Sequence, residues 1–170
     1  MNLTVQGKTW KFAEDINTDF MSPSFTKNMG WDEVKGHILH VHKGFTAGFQ
    51  PGDVIVAGPN FGCGSSRQTA PENLKKLGVG CVVAESFGRI FFRNSIAIAL
   101  PVLACPGITE NFEEGDQLEV NFDRSTVKNL TQGTDIQAPP LSEELVRILA
   151  AGGAQQLLRE EAEGRAKDGS

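Results

Sequence analysis

The chain reads as an α/β protein whose central sheet is at least partly parallel. Three observations say so. Short apolar runs at Val54–Ala57, Cys81–Ala84 and Pro101–Cys105 are each too short for a buried helix. Segments with helical spacing stand between them, so the order is strand, loop, helix, strand, helix, strand. The last third then changes character to an alternating pair with a turn, followed by helical segments.

Taken in order, Val5 to Phe12 sets Lys8, Trp10 and Phe12 against Thr9 and Lys11, as a strand does. Asp15, Asn17, Thr18 and Asp19 then crowd into five residues. They suit either a turn with side-chain-to-backbone hydrogen bonds or a loop presenting hydroxyls and carboxylates to a site. Residues 20–31, punctuated by Pro23 and Gly30, read as a mobile loop. His37, His40 and His42 share no single face of a helix or strand, so an ordinary surface or packed segment fits better than a metal site. Pro51-Gly52-Asp53 turns the chain into the strand at Val54.

After the glycine-rich stretch Gly58–Glu72, Ala70, Leu74 and Leu77 mark an inward helix stripe, and Thr69 with Glu72 fits a capping box. Residues 87–100 read as a helix apolar over most of its surface, hence buried. Arg89 and Arg93 share one face of it and call for carboxylate partners or a place at the site. Leu118, Val120 and Phe122 alternate and, with residues 125–131, form a hairpin. Ser142 followed by two acids opens a helix that two glycines close. Residues 1–158 are expected to make one domain, and the charged tail 159–170 to be disordered.

With 170 residues and 39% hydrophobic content, a full core is affordable. A net charge of −5 speaks against nucleic acid as a partner. No apolar run approaches membrane-spanning length, and the N-terminal stretch has no signal-peptide apolar region, so a cytoplasmic location is expected. Three cysteines without C-x-x-C spacing suggest neither a disulfide framework nor a zinc site.

The chemistry concentrates in Gly62, Gly64, Ser65, Ser66 and Arg67. Glycines admit left-handed backbone and close approach of a ligand. Successive N–H groups in such a turn can form an anion nest. The serines add donors, and Arg67 adds a forked cation suited to carboxylate or phosphate. A small-anion site containing a potential alkoxide is the sharper reading; a glycine-rich turn with capping serines is the plainer one. The stretch is no Walker loop, nucleophile elbow or dinucleotide fingerprint, because the required lysine, spacing or third glycine is missing.

Several segments together resemble the small, swivelling-domain subunit of the aconitase superfamily, of the isopropylmalate isomerase type. FAEDINTDFMSP is similar to that family's D-N-x-D-T-D-x-I-I-P element. GDVIVAGPNFGCGSSR resembles G-D-x-x-V-A-G-x-N-F-G-x-G-S-S-R, and ESFGRIFFRNSIAIALPVL resembles S-F-A-R-I-F-x-R-N-x-x-x-x-G-L-P. The resemblance covers about residues 5–155. It implies a β/β/α swivelling-domain architecture, a mixed sheet flanked by helices. It also implies a hydro-lyase or isomerase small subunit that works with a large subunit carrying a 4Fe–4S cluster, with no cofactor or metal in this chain. The substrate would be a hydroxy di- or tricarboxylic acid: 3-isopropylmalate first, with dimethylmalate, citramalate or homoaconitate types as alternatives. Isolated chains could form homo-oligomers.

Carried over by position, Ser65 would be the base, acting as an alkoxide. Ser66 and Gly64 would contact substrate, and Arg67 would clamp a carboxylate. Ser24, Phe25 and Thr26 would fall in the loop that senses the substrate's side group, where Phe25, Met29 and Trp31 lean towards an apolar substituent. Three departures stand out. Gln68-Thr69 replaces the family's usual Glu-His, Asn17 stands where an Asp is common, and Ser24-Phe25-Thr26 departs from the usual small-basic-aromatic run. They leave room for a non-catalytic anion-binding module.

Overall fold

A computed structural model describes residues 3–169. Strand β1 (Thr4–Phe12) leads through two short helices, α1 (Thr18–Met21) and α2 (Trp31–Val34), with a 3-10 turn at Ser24–Thr26 between them. Helix α3 (Phe45–Gly48) precedes β2 (Val54–Ala57), and α4 (Thr69–Leu77), β3 (Val82–Ala84), α5 (Arg89–Ala97) and β4 (Val102–Ala104) follow. The remainder is α6 (Ile108–Asn111), β5 (Gln117–Asn121), β6 (Thr126–Asn129), β7 (Thr134–Gln137), α7 (Glu143–Ala151) and α8 (Ala154–Asp168).

All seven strands form one mixed sheet in the order β4-β3-β2-β1-β5-β6-β7. The β4-to-β1 side is parallel and the β1-to-β7 side antiparallel. The switch happens along β1 itself. Thr4 to Lys8 pair with β5, whereas Thr9 to Phe12 pair with β2. The α/β class and the mixed sheet expected from the sequence are both present.

The two sides bury their strands differently. Every residue of β2 and β3 is buried, as layers of helix on a parallel sheet demand. In β5, Leu118 and Val120 are buried while Gln117 is exposed, the alternation of a sheet with one wet face. A buried Trp10 Nε1–H donates to Asp53 Oδ2 at 2.8 Å, tying β1 to the turn that starts β2. Such a bond satisfies both polar groups inside the core.

Several expectations need correction. Residues 20–31 are not irregular throughout: they hold the end of α1, the 3-10 turn and the start of α2, joined by short turns. Thr69 does not cap α4. It is already helical, no side chain caps that end, and its hydroxyl meets Ser22 Oγ at 2.8 Å. Helix α5 buries Phe91, Ser95 and Ile96 but leaves Ile90 50% exposed. It is therefore one-sided rather than enclosed. Strand β7 was not foreseen, because its residues are mostly exposed and carry no apolar alternation. The tail expected to be disordered instead continues α8 to Asp168; no residue of that helix is buried. Ser142 does cap α7, accepting from Leu145 N–H.

Candidate active site

The carboxyl ends of β1 and β2 lie side by side, and the segments leaving them meet. That is where open parallel sheets place their ligands. Backbone bonds lock the two segments together. Asp15 N–H donates to Pro59 O at 2.9 Å, Gly62 N–H to Ile16 O at 2.7 Å, and Thr18 N–H to Cys63 O at 2.9 Å. Asn17 and Cys63 form an isolated parallel bridge. Asn60 Nδ2 donates to Asp15 Oδ1 at 3.0 Å.

The glycine loop is held equally closely from the β3 side. Gly62 has φ +80, and a Cβ there would lie 2.2 Å from the Phe91 ring. A Cβ on Gly88 would lie 2.6 Å from Gly62 O. Phe61 N–H donates to Ser86 O and Gly88 N–H to Phe61 O, at 3.0 and 2.8 Å. Gly64, at φ +106, completes the turn that presents Ser65, Ser66 and Arg67 to solvent. These positions need glycine because a side chain has neither the backbone angle nor the room.

On this frame α1 grips the loop's candidate site residues. Thr18 Oγ1 is 3.3 Å from Ser65 Oγ. Arg67 Nη1 lies 3.0 Å from Asp19 Oδ1 and donates to Ser22 O at 3.0 Å. Its other nitrogens make no bond among the described residues, so the outer edge of the fork is open to an anion. The guanidinium is 39% exposed, so its pairing with Asp19 orients it more than it stabilises the fold. Of the two readings of Asp15–Asp19, the turn with side-chain-to-backbone hydrogen bonds is present, and two of its side chains also contact the glycine loop. Asn17 caps α1 by accepting from Asp19 N–H at 2.9 Å, and Thr18 and Asp19 reach the loop.

Beside Arg67 opens a cleft of about 570 Å³. Its lining includes Ser24, Thr26, Lys27, Met29, Trp31 and Lys76. Lys76 Nζ sits 4.4 Å over the Trp31 ring. Of the three residues expected in the specificity loop, Ser24 and Thr26 line the cleft and Phe25 does not. Phe25 is 58% exposed and packs edge-on against His37, with centroids 5.0 Å apart. Met29 and Trp31 do face the cleft, together with Val34. Lys27, Asn73 and Lys76 were missed from the sequence. Thr69, Asn73 and Lys76 are spaced four and three apart, so one polar face of α4 was the available signal. Thr69, one of the two departures after Arg67, is used as a tie between the cleft wall and α4.

Arg89 and Arg93 have no carboxylate partner among the described residues, which removes the first of their two expected roles; both are exposed and line a smaller groove with Phe87 and Phe92. The three histidines do not converge. His40 Nδ1 bonds to His37 O, while His42 pairs with Glu114 and packs against Trp10, Phe12 and Phe45. Among the described residues no group of three or more His, Cys, Asp and Glu could hold a metal ion. The cysteines do not fit a cluster either. Burial holds the Cys81 thiol well above its ordinary range and pushes Cys105 up to about 11, with Glu85 adding to the latter. Burial and then the Asp15 charge raise Cys63 as well. Metal ligation needs thiolates, which these settings disfavour.

Comparison with known proteins agrees with this geometry. Residues 41–106 match the Aconitase C-terminal domain family. The chain is 42% identical over 163 residues to 3-isopropylmalate dehydratase small subunit 1 of Methanopyrus kandleri, covering 95% of this chain and 96% of that protein. The chain belongs to the 3-isopropylmalate dehydratase small-subunit family. Within that family it is also 42% identical to the isopropylmalate/citramalate isomerase small subunit of Methanocaldococcus jannaschii, over 94% of this chain and 96% of that one. A crystal structure of 3-isopropylmalate dehydratase from the same organism superposes with a TM-score of 0.87 at 31% identity, covering 98% and 99% of the two chains. The swivelling-domain fold expected from the resemblance is therefore the one observed.

Proposed function

We propose that this chain is the small subunit of a two-subunit hydro-lyase that reversibly dehydrates a hydroxy di- or tricarboxylic acid, 3-isopropylmalate first among candidates. The observation that carries the reading is the Ser65–Arg67 pair. A hydroxyl and a forked cation sit two positions apart on a glycine turn, both gripped by α1, with Arg67 in the wall of the cleft. The names of the relatives support the same substrate and a large-subunit partner. The relative in Methanocaldococcus jannaschii keeps citramalate in view.

In this reading Ser65, as its alkoxide, takes the proton from the carbon next to a carboxylate. The electron pair left behind forms the double bond as the neighbouring C–O bond breaks and hydroxide leaves. Rehydration adds hydroxide to one carbon of the double bond and returns the Ser65 proton to the other, so the alkoxide is regenerated. Arg67 holds a substrate carboxylate with the guanidinium edge that Asp19 and Ser22 leave free. Ser66 and the backbone around Gly64 supply further donors. The cleft beside Arg67, with Ser24, Thr26, Met29 and Trp31 in its wall, receives the variable group; Phe25 is not among the residues that line it. A 4Fe–4S cluster on the large subunit would supply the Lewis acid at the leaving hydroxyl. A cytoplasmic location goes with this role.

Two experiments test it. Anaerobic purification of the tagged chain from its own host should bring down a larger, iron-containing partner. With that partner, Ser65→Ala should assemble normally and lose turnover by about a thousandfold or more, the scale of losing a base. Wild-type turnover in that variant would overturn the assignment. A panel of isopropylmalate, citramalate, dimethylmalate and homocitrate then identifies the substrate.

A further inference from the structure

Helix α1 places a second hydroxyl against the proposed base, and its surroundings give that hydroxyl little else to do. Thr18 is only 2% exposed. Its backbone N–H is committed to Cys63 O, on the strand side of the same turn. Its Oγ1 has one hydrogen-bond partner among the described residues, Ser65 Oγ at 3.3 Å. Space for the contact exists because residue 64 is glycine: a Cβ there would come within 3.3 Å of Thr18 Oγ1.

While both groups are neutral, either hydroxyl can donate to the other. Once Ser65 loses its proton, only Thr18 still has one to give. We infer that Thr18 is the positioning residue of the base: its hydroxyl donates to the Ser65 alkoxide, aims it, and favours the ionised form. This inference rests on Ser65 being the base and adds how the alkoxide is held. Thr18 keeps its own proton throughout, and the substrate proton travels only to Ser65 Oγ.

The physical case is that a serine hydroxyl is a very weak acid, and a fixed donor at its oxygen favours the anion. A donor fixed by a backbone bond and burial needs no reorganisation when charge appears. A hydrogen bond to a charged acceptor contributes more than a neutral one, which converts to about 10- to 100-fold in rate.

The test uses the assembled two-subunit enzyme with Thr18→Val and Thr18→Ser, beside Ser65→Ala. Valine keeps the shape of threonine and removes the hydroxyl; serine keeps the hydroxyl and removes the methyl. The expected result is a 10- to 100-fold loss of kcat in Thr18→Val with KM within about twofold, and kcat within about threefold of wild type in Thr18→Ser. A packing role makes the opposite pattern, with serine worse than valine, and overturns the inference. So does wild-type kcat in Thr18→Val. Should Thr18→Val not assemble, Thr18→Ala compared with Thr18→Ser reads the same difference. If Ser65→Ala is inactive while Thr18→Val is normal, only the role of Thr18 fails. If Ser65→Ala is active, the base assignment falls and Thr18's role falls with it.

Discussion

The two sides of the sheet make the same number of strand pairings from β1 outward and use them for different ends. On the parallel side, β2 and β3 are buried throughout, and the loops leaving β1, β2 and β3 interlock over the Ser65 turn. On the antiparallel side, β5, β6 and β7 are joined by tight turns and half wet, and none of their residues lines the cleft. β1 belongs to both, its first half to one side and its second half to the other. The lesson is that the candidate site sits where chain ends converge from several strands, whereas the meandering side supplies none of its residues.

If that division is real, damage on the two sides should look different. The largest effect is expected from Gly62→Ala. Alanine would have to hold φ +80 and enter the Phe91 ring, costing about 3 kcal/mol or more and displacing the Ser65 turn. Chemical denaturation and turnover should fall together. Retained activity in this variant would mean the turn is not under the constraint described.

Next comes Leu118→Ala, in the core of the antiparallel side and wholly buried. A cavity there should cost about 3 kcal/mol. The surviving folded enzyme should keep kcat within about twofold. A kcat loss larger than the stability loss explains would break the division.

A subtler comparison uses one anchored carboxylate per side. Burial alone would raise Glu85, but Thr109's hydroxyl and N–H and Gly107's N–H hold it below its ordinary value. Burial likewise opposes Asp116, and the Glu113 N–H, Asn129, Gln132 and the Lys11 charge hold it low. A carboxyl lowered in the folded state stabilises fully above its unfolded pKa, roughly 4, and that contribution is lost as pH falls through the lowered value. Glu85→Gln and Asp116→Asn should each be less stable than wild type at neutral pH, with the gap closing as pH falls through the lowered carboxyl values. Midpoints of unfolding across pH check this. Only Glu85→Gln, beside the loop after β3, should also touch activity.

The sequence disclosed the parallel side well, since buried strands of four and three residues read as apolar runs and α4 carries a clean stripe. It disclosed Ser65 and Arg67 because the glycines around them are a local signal. It did not disclose what holds them. Thr18 and Ser65 are 47 residues apart, and no periodicity links them. Helices α1, α2 and α3 have four residues each, barely one turn, too short for a stripe to show. Lys27 and Lys76 reach the cleft from two separate elements, and only folding brings them to one wall.

The cleft wall differs from the turn beside it in how it is fastened. Thr26, Lys27 and Met29 donate backbone bonds only to Pro23, Ser24 and Thr26, and Glu33 and Val34 to Gly30. Its hydrogen-bonded ties to the rest of the chain gather just before it, where Met21 meets Asn73 and Ser22 meets Arg67 and Thr69, and Trp31 adds a packing contact with Lys76. Such a segment can be exchanged as a cassette while the interlocked turn stays as it is. Under the proposed function, a lineage could change the acid it accepts by rewriting the segment after Ser22, and a protein engineer could graft a new repertoire at the same boundary.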